Sequence, residues 1–337
     1  MNAQVLIETA KAMVPPGRGI LAADESTRST EKRFKKFDIP HTAETRRAYR
    51  IMMFTTPGLE KFISGVIMYD ESLGQTAPDG KPFPKYLADK GIVPGVKVDT
   101  GFYPMAGFPG EFVTEGLDGL RERLAEYKQL GARFAKWRAV IAIDEILPSS
   151  TCIKAQAHGL ARYAALCQEA DIVPIVEPDV LLAGSHTLQR CEEVSKRVLE
   201  AVYHELFNMG VLLEGTILKP NMVTPGKDCP AQASPQQVAE ATVRTLRNTV
   251  PAVVPGIAFL SGGQGSVPAT ANLDAINRLG PHPWEVTFSY LRALADPAFG
   301  VWQGRPENLE AAQRVFLHRA SMLAAARRAS YRPEMEK

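Results

Sequence analysis

Eight short apolar segments, separated by longer amphipathic ones, are the feature that most limits the fold of this 337-residue chain. Each segment is almost continuously apolar and rich in Val and Ile, which is typical of parallel β-strands covered on both faces by helices. The predicted strands are 18–24, 64–70, 93–99, 134–140, 172–178, 211–219, 257–262 and 285–290. This alternation indicates repeated βα units and a parallel sheet.

The segments between the strands have the periodicity of helices. Apolar residues recur at three- and four-residue steps in 117–130 and in 188–209. Ser234, followed by Pro235 and Gln237, predicts a helix start, because the serine can cap the helix and the glutamine can reach back to the cap. The first 13 residues also predict an amphipathic helix.

Eight βα units without a flexible linker predict one α/β domain over residues 1–337. The expected fold is a single (β/α)8 TIM barrel with an extra N-terminal helix and a C-terminal helix from about residue 307. We expect the last ~10 residues to form a flexible tail. A doubly wound open sheet is the alternative, but no Gly-x-Gly-x-x-Gly turn follows the first strand.

Composition and charge argue against several functional classes. Lys and Arg number 39 against 37 Asp and Glu, so a net charge of +2 offers no basic surface for nucleic acid. No apolar run reaches the length of a membrane span, and the first residues lack a signal-peptide pattern. The four cysteines have no metal-site spacing. We therefore expect a cytoplasmic protein with no metal, no cofactor, no nucleic acid and no membrane partner.

Polar residues interrupt the predicted strands near their carboxyl ends, often in pairs two residues apart. The pairs are Lys97 and Asp99, Lys136 and Arg138, Glu177 and Asp179, and Lys219 and Asn221. The comparable ends of the other strands carry Asp24, Asp70, Ser261 and Arg292. Side chains at i and i+2 share one face of a strand, and barrel active sites occupy the carboxyl ends of the strands. We expect these residues to converge on one site.

Lys219 is the most informative of these residues, because it ends an apolar segment in VLLEGTILKPNM (211–222). Burial beside a second cation such as Lys136 favours the neutral amine, since a buried ammonium is costly. A neutral amine can attack a ketone or aldehyde, and the protonated imine that follows is an electron sink for breaking a carbon–carbon bond. Glu177 is placed to shuttle the proton that expels water, with Lys136 and Asp179 as its neighbours.

The loops after the last strands predict an anion site. FLSGGQGS (259–266) offers backbone N–H groups and the Ser261 hydroxyl, and Arg292 can add a charge-assisted contact. Lys97, Ser29 and Arg33 form a second basic group for an anion at the other end of a ligand. The residues thus predict a Schiff-base lyase acting on a small phosphorylated carbonyl compound.

Six motifs resemble class I fructose-bisphosphate aldolase. They are GILAADEST (19–27), KVDTG (97–101), FAKWR (134–138), IVPIVEP (172–178), LEGTILKPNMVTPG (213–226) and FLSGGQ (259–264). The likeness runs in order from about residue 5 to about residue 325. It implies a metal-independent lyase, usually a homotetramer, that reversibly cleaves fructose 1,6-bisphosphate to dihydroxyacetone phosphate and glyceraldehyde 3-phosphate.

The same resemblance implies roles for individual residues. Lys219 would form the imine and Glu177 would be the principal acid and base. Assistance with proton transfer and orientation of the sugar would come from Asp24, Lys136 and Arg138. One phosphate would be held by Ser261, Gly262, Gly263, Ser289 and Arg292. The other phosphate would lie toward Ser29, Arg33 and Lys97.

Four features depart from the family pattern. Asp179 stands where the family typically has a glutamate that hydrogen-bonds the catalytic lysine, and the shorter side chain is expected to lengthen that contact by about 1 Å. Leu291 replaces a glycine before Arg292, and Arg28 replaces a glycine near the second phosphate. The sequence ends in SYRPEMEK and lacks the family's C-terminal tyrosine.

Two alternatives stay open at the level of sequence. One is a Schiff-base aldolase that prefers another sugar bisphosphate, such as sedoheptulose 1,7-bisphosphate, because both substrates share the phosphate contacts. The other is an inactive scaffold on the aldolase fold, which the Asp179 and Leu291 changes would permit. Oligomeric state, direction of flux and regulation do not follow from the residues.

Overall fold

Ten β-strands form a closed barrel and a small hairpin in the computed structural model, which describes residues 1–337. The strands are β1 (Gly19–Ala23), β2 (Ile63–Met68), β3 (Val93–Lys97), β4 (Gly101–Pro104), β5 (Phe112–Glu115), β6 (Phe134–Ile141), β7 (Val173–Val180), β8 (Ile217–Leu218), β9 (Gly256–Phe259) and β10 (Glu285–Tyr290). The barrel closes in the order β1-β10-β9-β8-β7-β6-β3-β2, and all its pairs are parallel. The predicted (β/α)8 barrel is confirmed.

Twelve α-helices surround the strands. They are α1 (Ala3–Met13), α2 (Thr27–Phe34), α3 (Ala43–Phe54), α4 (Asp70–Leu73), α5 (Phe83–Asp89), α6 (Leu120–Gln129), α7 (Ser150–Glu169), α8 (Leu188–Asn208), α9 (Pro235–Thr249), α10 (Ser266–Arg278), α11 (Arg292–Trp302) and α12 (Leu309–Arg327). Ser234 caps α9 in a capping box with Gln237, as the sequence predicts. None of the helices combines the length and apolar character that crossing a membrane requires.

The hydrophobic core has two parts. The larger part lies between the outer faces of the strands and the surrounding helices, where Trp137 of β6 stacks on Tyr163 of α7. The smaller part fills the barrel interior at its N-terminal end, where Leu6 and Met13 of α1 pack with Ile20 and Phe134. The extra N-terminal helix therefore plugs the bottom of the barrel, and the opposite end holds the polar residues.

Two segments differ from the sequence prediction. The strand expected over 211–219 is reduced to β8, because Leu213–Gly215 forms a 3-10 turn. The Leu212 backbone bonds to the Gln168 amide group instead of a neighbouring strand, with N–H···Oε1 at 2.9 Å and Nε2···O=C at 2.8 Å. The hairpin of β4 and β5 has no counterpart in the predicted strands, because its residues lack a long apolar run.

The residues after α12 make specific contacts. Tyr331 is buried, and its backbone N–H donates to Asp274 Oδ1 at 2.9 Å. Its hydroxyl donates to Glu336 Oε1 at 2.9 Å, and Glu336 also pairs with Arg319. The flexibility expected of the last residues stays a prediction.

Replacing Arg327 with Met should destabilise the fold by about 3 kcal/mol, because a buried guanidinium is lost and its acceptors stay buried. Arg327 is 3% exposed and donates to Val286 O at 2.5 Å, Val14 O at 2.8 Å and Glu285 Oε2 at 2.7 Å. The midpoint of urea denaturation measures the effect. Arg314→Met, on the same helix but 73% exposed, is the control, and equal midpoints for the two variants would contradict the assignment.

Candidate active site

Four charged residues meet at the carboxyl end of the barrel, three of them buried and the fourth, Asp24, partly buried. Lys136 Nζ lies 2.9 Å from Asp24 Oδ2 and 2.7 Å from Glu177 Oε2. Glu177 Oε1 lies 3.3 Å from Lys219 Nζ. The exposed fraction of these side chains is between 3% and 12%. The chain thus brings two lysines and two carboxylates into a single contact network, as the sequence predicts.

The parallel register of the strands produces this convergence. Asp24 directly follows β1, Lys136 and Glu177 lie in β6 and β7, and Lys219 directly follows β8. The Lys219 N–H donates to Val176 O at 2.8 Å, so the ladder between β7 and β8 continues to the lysine. Alternate residues of β6 point outward, and the intervening Lys136 therefore points to the barrel axis.

The surroundings of Lys219 favour its neutral form. The pKa of Lys219 is lowered to about 8, chiefly by burial, with a smaller lowering by the nearby Arg138 and an opposing effect of Asp24. Its only close ionic partner is Glu177. The amine is therefore deprotonated in a useful fraction of molecules near neutral pH.

Lys136 and Asp24 form an ion pair next to Glu177 and Lys219. The pKa of Lys136 is lowered to about 8, chiefly by burial, with Asp24 opposing this effect and the positive charge of Lys219 adding to it. For Asp24, burial would raise the pKa, but Lys136 and Lys219 outweigh it and hold the pKa at about 2. Asp24 is thus ionised throughout the physiological range and accepts hydrogen bonds rather than donating protons.

Asp179 pairs with Arg138 in this structure. Arg138 Nε donates to Asp179 Oδ2 at 2.7 Å, and Arg138 Nη2 lies 2.6 Å from the same oxygen. No ion pair joins Asp179 to Lys219, so the expected lengthened contact with the lysine is replaced by a contact with the arginine. The shorter carboxylate therefore fixes the Arg138 guanidinium at the barrel mouth.

Asp99 contacts two residues on the same side of the mouth, although the sequence analysis assigns it no separate role. Its Oδ1 lies 2.5 Å from Lys97 Nζ, and its Oδ2 accepts the Arg138 backbone N–H at 3.2 Å. Lys97 also donates to the Asp99 carbonyl at 2.7 Å. The i and i+2 spacing of Lys97 and Asp99 was the available signal for this contact.

The glycine-rich loop forms the first predicted anion site. Gly262 and Gly263 have φ of 61° and 99°, a left-handed region that favours glycine. A Cβ at Gly263 would lie 3.5 Å from Arg292 Nη2, so the guanidinium lies beside this loop. The Ser289 hydroxyl is buried without a hydrogen-bond partner. These unpaired donors are suited to an anion.

The first anion site adjoins Lys219 directly. The Leu260 N–H donates to the Pro220 carbonyl at 3.1 Å, and the buried Ser261 is the next residue. Leu291 is half-buried and packs against the apolar core, where the family pattern has a glycine. Its side chain is thus accommodated by packing.

The residues of the second predicted anion site are more widely spread. Ser29 lies in the first turns of α2 and its hydroxyl is 3.1 Å from Ser26 Oγ. Arg33 is on the same helix and pairs with Glu25 and Asp296, while Lys97 pairs with Asp99. Arg28 is exposed. The structure thus places these cations around the β1 side of the mouth, each already bound to a carboxylate except Arg28.

Asn221 does not face the mouth beside Lys219, although the i and i+2 spacing predicts that it does. Its amide nitrogen donates to Ser195 Oγ at 3.1 Å and to Met222 O at 3.0 Å, and its Oδ1 accepts the Val180 N–H at 3.3 Å. It therefore binds to α8 instead of facing the mouth with Lys219. Sequence reasoning also missed Glu25 and Asp296, which no spacing pattern distinguished.

Comparisons with known proteins agree with the geometry. The family model described as fructose-bisphosphate aldolase class-I matches residues 5–337. A probable fructose-bisphosphate aldolase class 1 of Xanthomonas campestris pv. campestris is 54% identical over 321 residues, 95% of this chain and 96% of that protein. The cytoplasmic fructose-bisphosphate aldolase isozyme of Spinacia oleracea is 51% identical over 319 residues, 94% of this chain and 89% of that protein.

One solved structure is also similar over nearly its full length. It is the fructose-bisphosphate aldolase of Plasmodium falciparum, crystallised in a ternary complex with TRAP and a small-molecule inhibitor. The TM-score is 0.96 at 48% identity, and the match covers 98% of this chain and 96% of that chain.

Acylation of Lys219 by a small amine-selective reagent should increase with pH through about 8, because only the neutral amine reacts and its pKa is about 8. At pH 7 about a tenth of the amine is then neutral, against roughly one in 2,500 for an ordinary lysine. Peptide mass spectrometry measures the rate, with a free lysine peptide as reference.

Asp24→Asn should move this rise to lower pH, because Asp24 attracts the Lys219 ammonium and keeps its pKa from falling further. A rise centred near the ordinary lysine value in both proteins would contradict the described electrostatics.

Proposed function

The chain belongs to the class I fructose-bisphosphate aldolase family and is an aldehyde-lyase, and from this premise we propose that Lys219 forms the imine that cleaves fructose 1,6-bisphosphate. The products are dihydroxyacetone phosphate and glyceraldehyde 3-phosphate, and the reaction is reversible. The observation that carries the assignment is the buried Lys219 amine with its lowered pKa, 3.3 Å from the Glu177 carboxylate at the barrel mouth.

Imine formation begins with attack of the neutral Lys219 Nζ on the C2 carbonyl of the open-chain sugar. The carbinolamine that results loses water only if its hydroxyl is protonated. Glu177 is the group in reach, since one of its oxygens contacts Lys219 Nζ and the other contacts Lys136 Nζ at 2.7 Å. Lys136 can therefore restore the proton that Glu177 donates.

Cleavage then breaks the C3–C4 bond. A base removes the C4 hydroxyl proton, the C4–O bond becomes the aldehyde carbonyl, and the bonding electrons pass into the iminium to give an enamine on Lys219. We assign the proton to Glu177, with Asp24 ionised beside it to orient the hydroxyls and Lys136 to stabilise negative charge. Protonation of the enamine at C3 and hydrolysis of the imine release the second triose phosphate.

Arg138 and Asp179 act on the sugar chain in this proposal. The Arg138 guanidinium is 35% exposed at the mouth and is fixed by Asp179, which is 5% exposed. A guanidinium held by one buried carboxylate presents its remaining N–H groups in a constant direction. This suits hydrogen bonding to sugar hydroxyls.

The two phosphates are assigned to different parts of the mouth. The 1-phosphate is one carbon from the C2 that Lys219 attacks, so it belongs at the adjoining glycine-rich loop. Its ligands are Ser261, Gly262, Gly263, Ser289 and Arg292. The 6-phosphate extends toward β1, which is three positions from β8 in the barrel order, where Ser29, Arg33 and Lys97 are available.

We also propose a cytoplasmic homotetramer that needs no metal or cofactor, because the iminium itself is the electron sink. The cytoplasmic isozyme among the relatives supports the location. Ile146 and Phe207 are 83% and 80% exposed, and large apolar side chains on a surface favour association between subunits. Sedimentation equilibrium distinguishes a tetramer from a monomer of 36.8 kDa.

No observation in the site supports either alternative, the aldolase for another sugar bisphosphate or the inactive scaffold. The relatives described above are named for fructose bisphosphate, and no residue favours sedoheptulose 1,7-bisphosphate. An inactive scaffold is disfavoured because Lys219, Glu177, Lys136 and Asp24 remain in mutual contact. Kinetics with both sugars side by side test the preference.

Lys219→Met should lower the cleavage rate by at least about 10⁴-fold, because no other amine can form the imine at C2. The fold should be retained, since Glu177 keeps its contact with Lys136 when Lys219 is removed. An assay of triose phosphate release measures the rate and circular dichroism checks the fold. Lys85→Met, with a side chain 65% exposed, is the control. Turnover in Lys219→Met would show that Lys219 is not the nucleophile.

Arg292→Ala should raise KM for fructose 1,6-bisphosphate by about 30- to 150-fold with a smaller change in kcat, because a charge-assisted contact worth about 2–3 kcal/mol is lost from bound substrate. Steady-state kinetics measure both constants, with the exposed Arg314→Ala as control. An unchanged KM would remove Arg292 from the phosphate site.

A further inference from the structure

Arg33 is held by carboxylates from two different elements. Its Nε and Nη2 donate to Glu25 at 3.1 Å and 3.0 Å, and its Nη1 donates to Asp296 of α11. The guanidinium carbon also lies 5.4 Å from the centre of the Phe299 ring, one turn along α11 from Asp296. The guanidinium proposed to bind the 6-phosphate is therefore already occupied by two acidic side chains.

This occupation has an electrostatic consequence for the substrate. Two carboxylates around one guanidinium outnumber its charge, so a phosphate dianion that approaches Arg33 is attracted by the arginine and repelled by both acids. Binding of the phosphate therefore favours departure of one carboxylate. A phosphate that reaches Arg33 must compete with an anion that belongs to the protein.

Asp296 is the carboxylate suited to leave. Its side chain is 50% exposed, whereas that of Glu25 is 19% exposed. Glu25 also faces Arg33 with both oxygens and lies 3.5 Å from the Tyr49 hydroxyl. Asp296 makes its contact through one nitrogen of Arg33, and water can solvate it when that contact breaks.

Asp296 lies on the same helix as Arg292, the residue proposed to bind the 1-phosphate. Arg292 is the first residue of α11, and Asp296 follows one turn later. The same helix thus carries a cation at the 1-phosphate side and an anion at the 6-phosphate side.

We propose that Asp296 is a specificity-determining residue that acts as an internal competitor for Arg33. In the free enzyme it binds Arg33, and the 6-phosphate of the substrate displaces it. This inference rests on the proposed function, because it requires Arg33 to be a ligand of the 6-phosphate. Asp296 thereby reduces the advantage of sugars that carry a 6-phosphate over sugars that lack it.

Asp296→Asn is the direct test, because the amide keeps the shape of the side chain and removes its charge. The variant should lower KM for fructose 1,6-bisphosphate about two- to fivefold, the range expected for loss of one partly exposed ion pair. The ratio of kcat/KM for fructose 1,6-bisphosphate to that for fructose 1-phosphate should rise by the same factor. A structural role for Asp296 would change both substrates alike and leave the ratio constant.

Two further variants separate this inference from the proposed function. Arg33→Ala should raise KM for fructose 1,6-bisphosphate and lower the same ratio, and Asp296→Asn should have no added effect on the ratio in that background. If Arg33→Ala leaves the ratio constant, the 6-phosphate assignment fails and the inference fails with it.

If Arg33→Ala behaves as expected but Asp296→Asn leaves the ratio constant or lowers it, only the inference is overturned. A lowered ratio would mean that Asp296 positions Arg33 for the phosphate instead of competing with it.

Discussion

Burial of two lysines beside two carboxylates is the constraint on which the rest of the site depends. Lys136 contacts both Asp24 and Glu177, and Glu177 also contacts Lys219. Burial lowers the pKa of both lysines to about 8, while their charges hold the pKa of Asp24 at about 2. One network thus supplies a partly neutral amine, a permanent anion and a carboxyl group between two nitrogens. Each of these is needed at a different stage of imine chemistry.

The barrel makes this network possible at a tolerable cost in stability. The helix α1 fills the opposite end with apolar side chains, so the polar residues are confined to one end. Every charged group in the network has an oppositely charged partner within 3.3 Å. The phosphate loops lie next to the network because they follow neighbouring strands of the same barrel. The function therefore depends on which residues lie at the carboxyl end of each strand, because the barrel brings all these ends together.

The sequence predicted the eight barrel strands and the convergence of Lys136, Glu177 and Lys219, because strand periodicity and parallel pairing determine both. It predicted Asn221 wrongly, because the i and i+2 rule holds only within a strand and β8 ends at Leu218. The Arg138 contact of Asp179 depends on side-chain lengths across two strands, which spacing does not specify. Asp296 is one acidic residue within a helix, and only the three-dimensional packing of α11 against α2 shows its contact with Arg33.

Mass spectrometry after borohydride reduction in the presence of fructose 1,6-bisphosphate and EDTA tests the central claim most directly. Borohydride reduces an imine to a stable secondary amine, so the intermediate becomes a permanent mass increase on one peptide. The account predicts a reduced triose phosphate adduct on the peptide that contains Lys219, formed with EDTA present. An adduct on another lysine, or no adduct while the enzyme turns over the sugar, would contradict it.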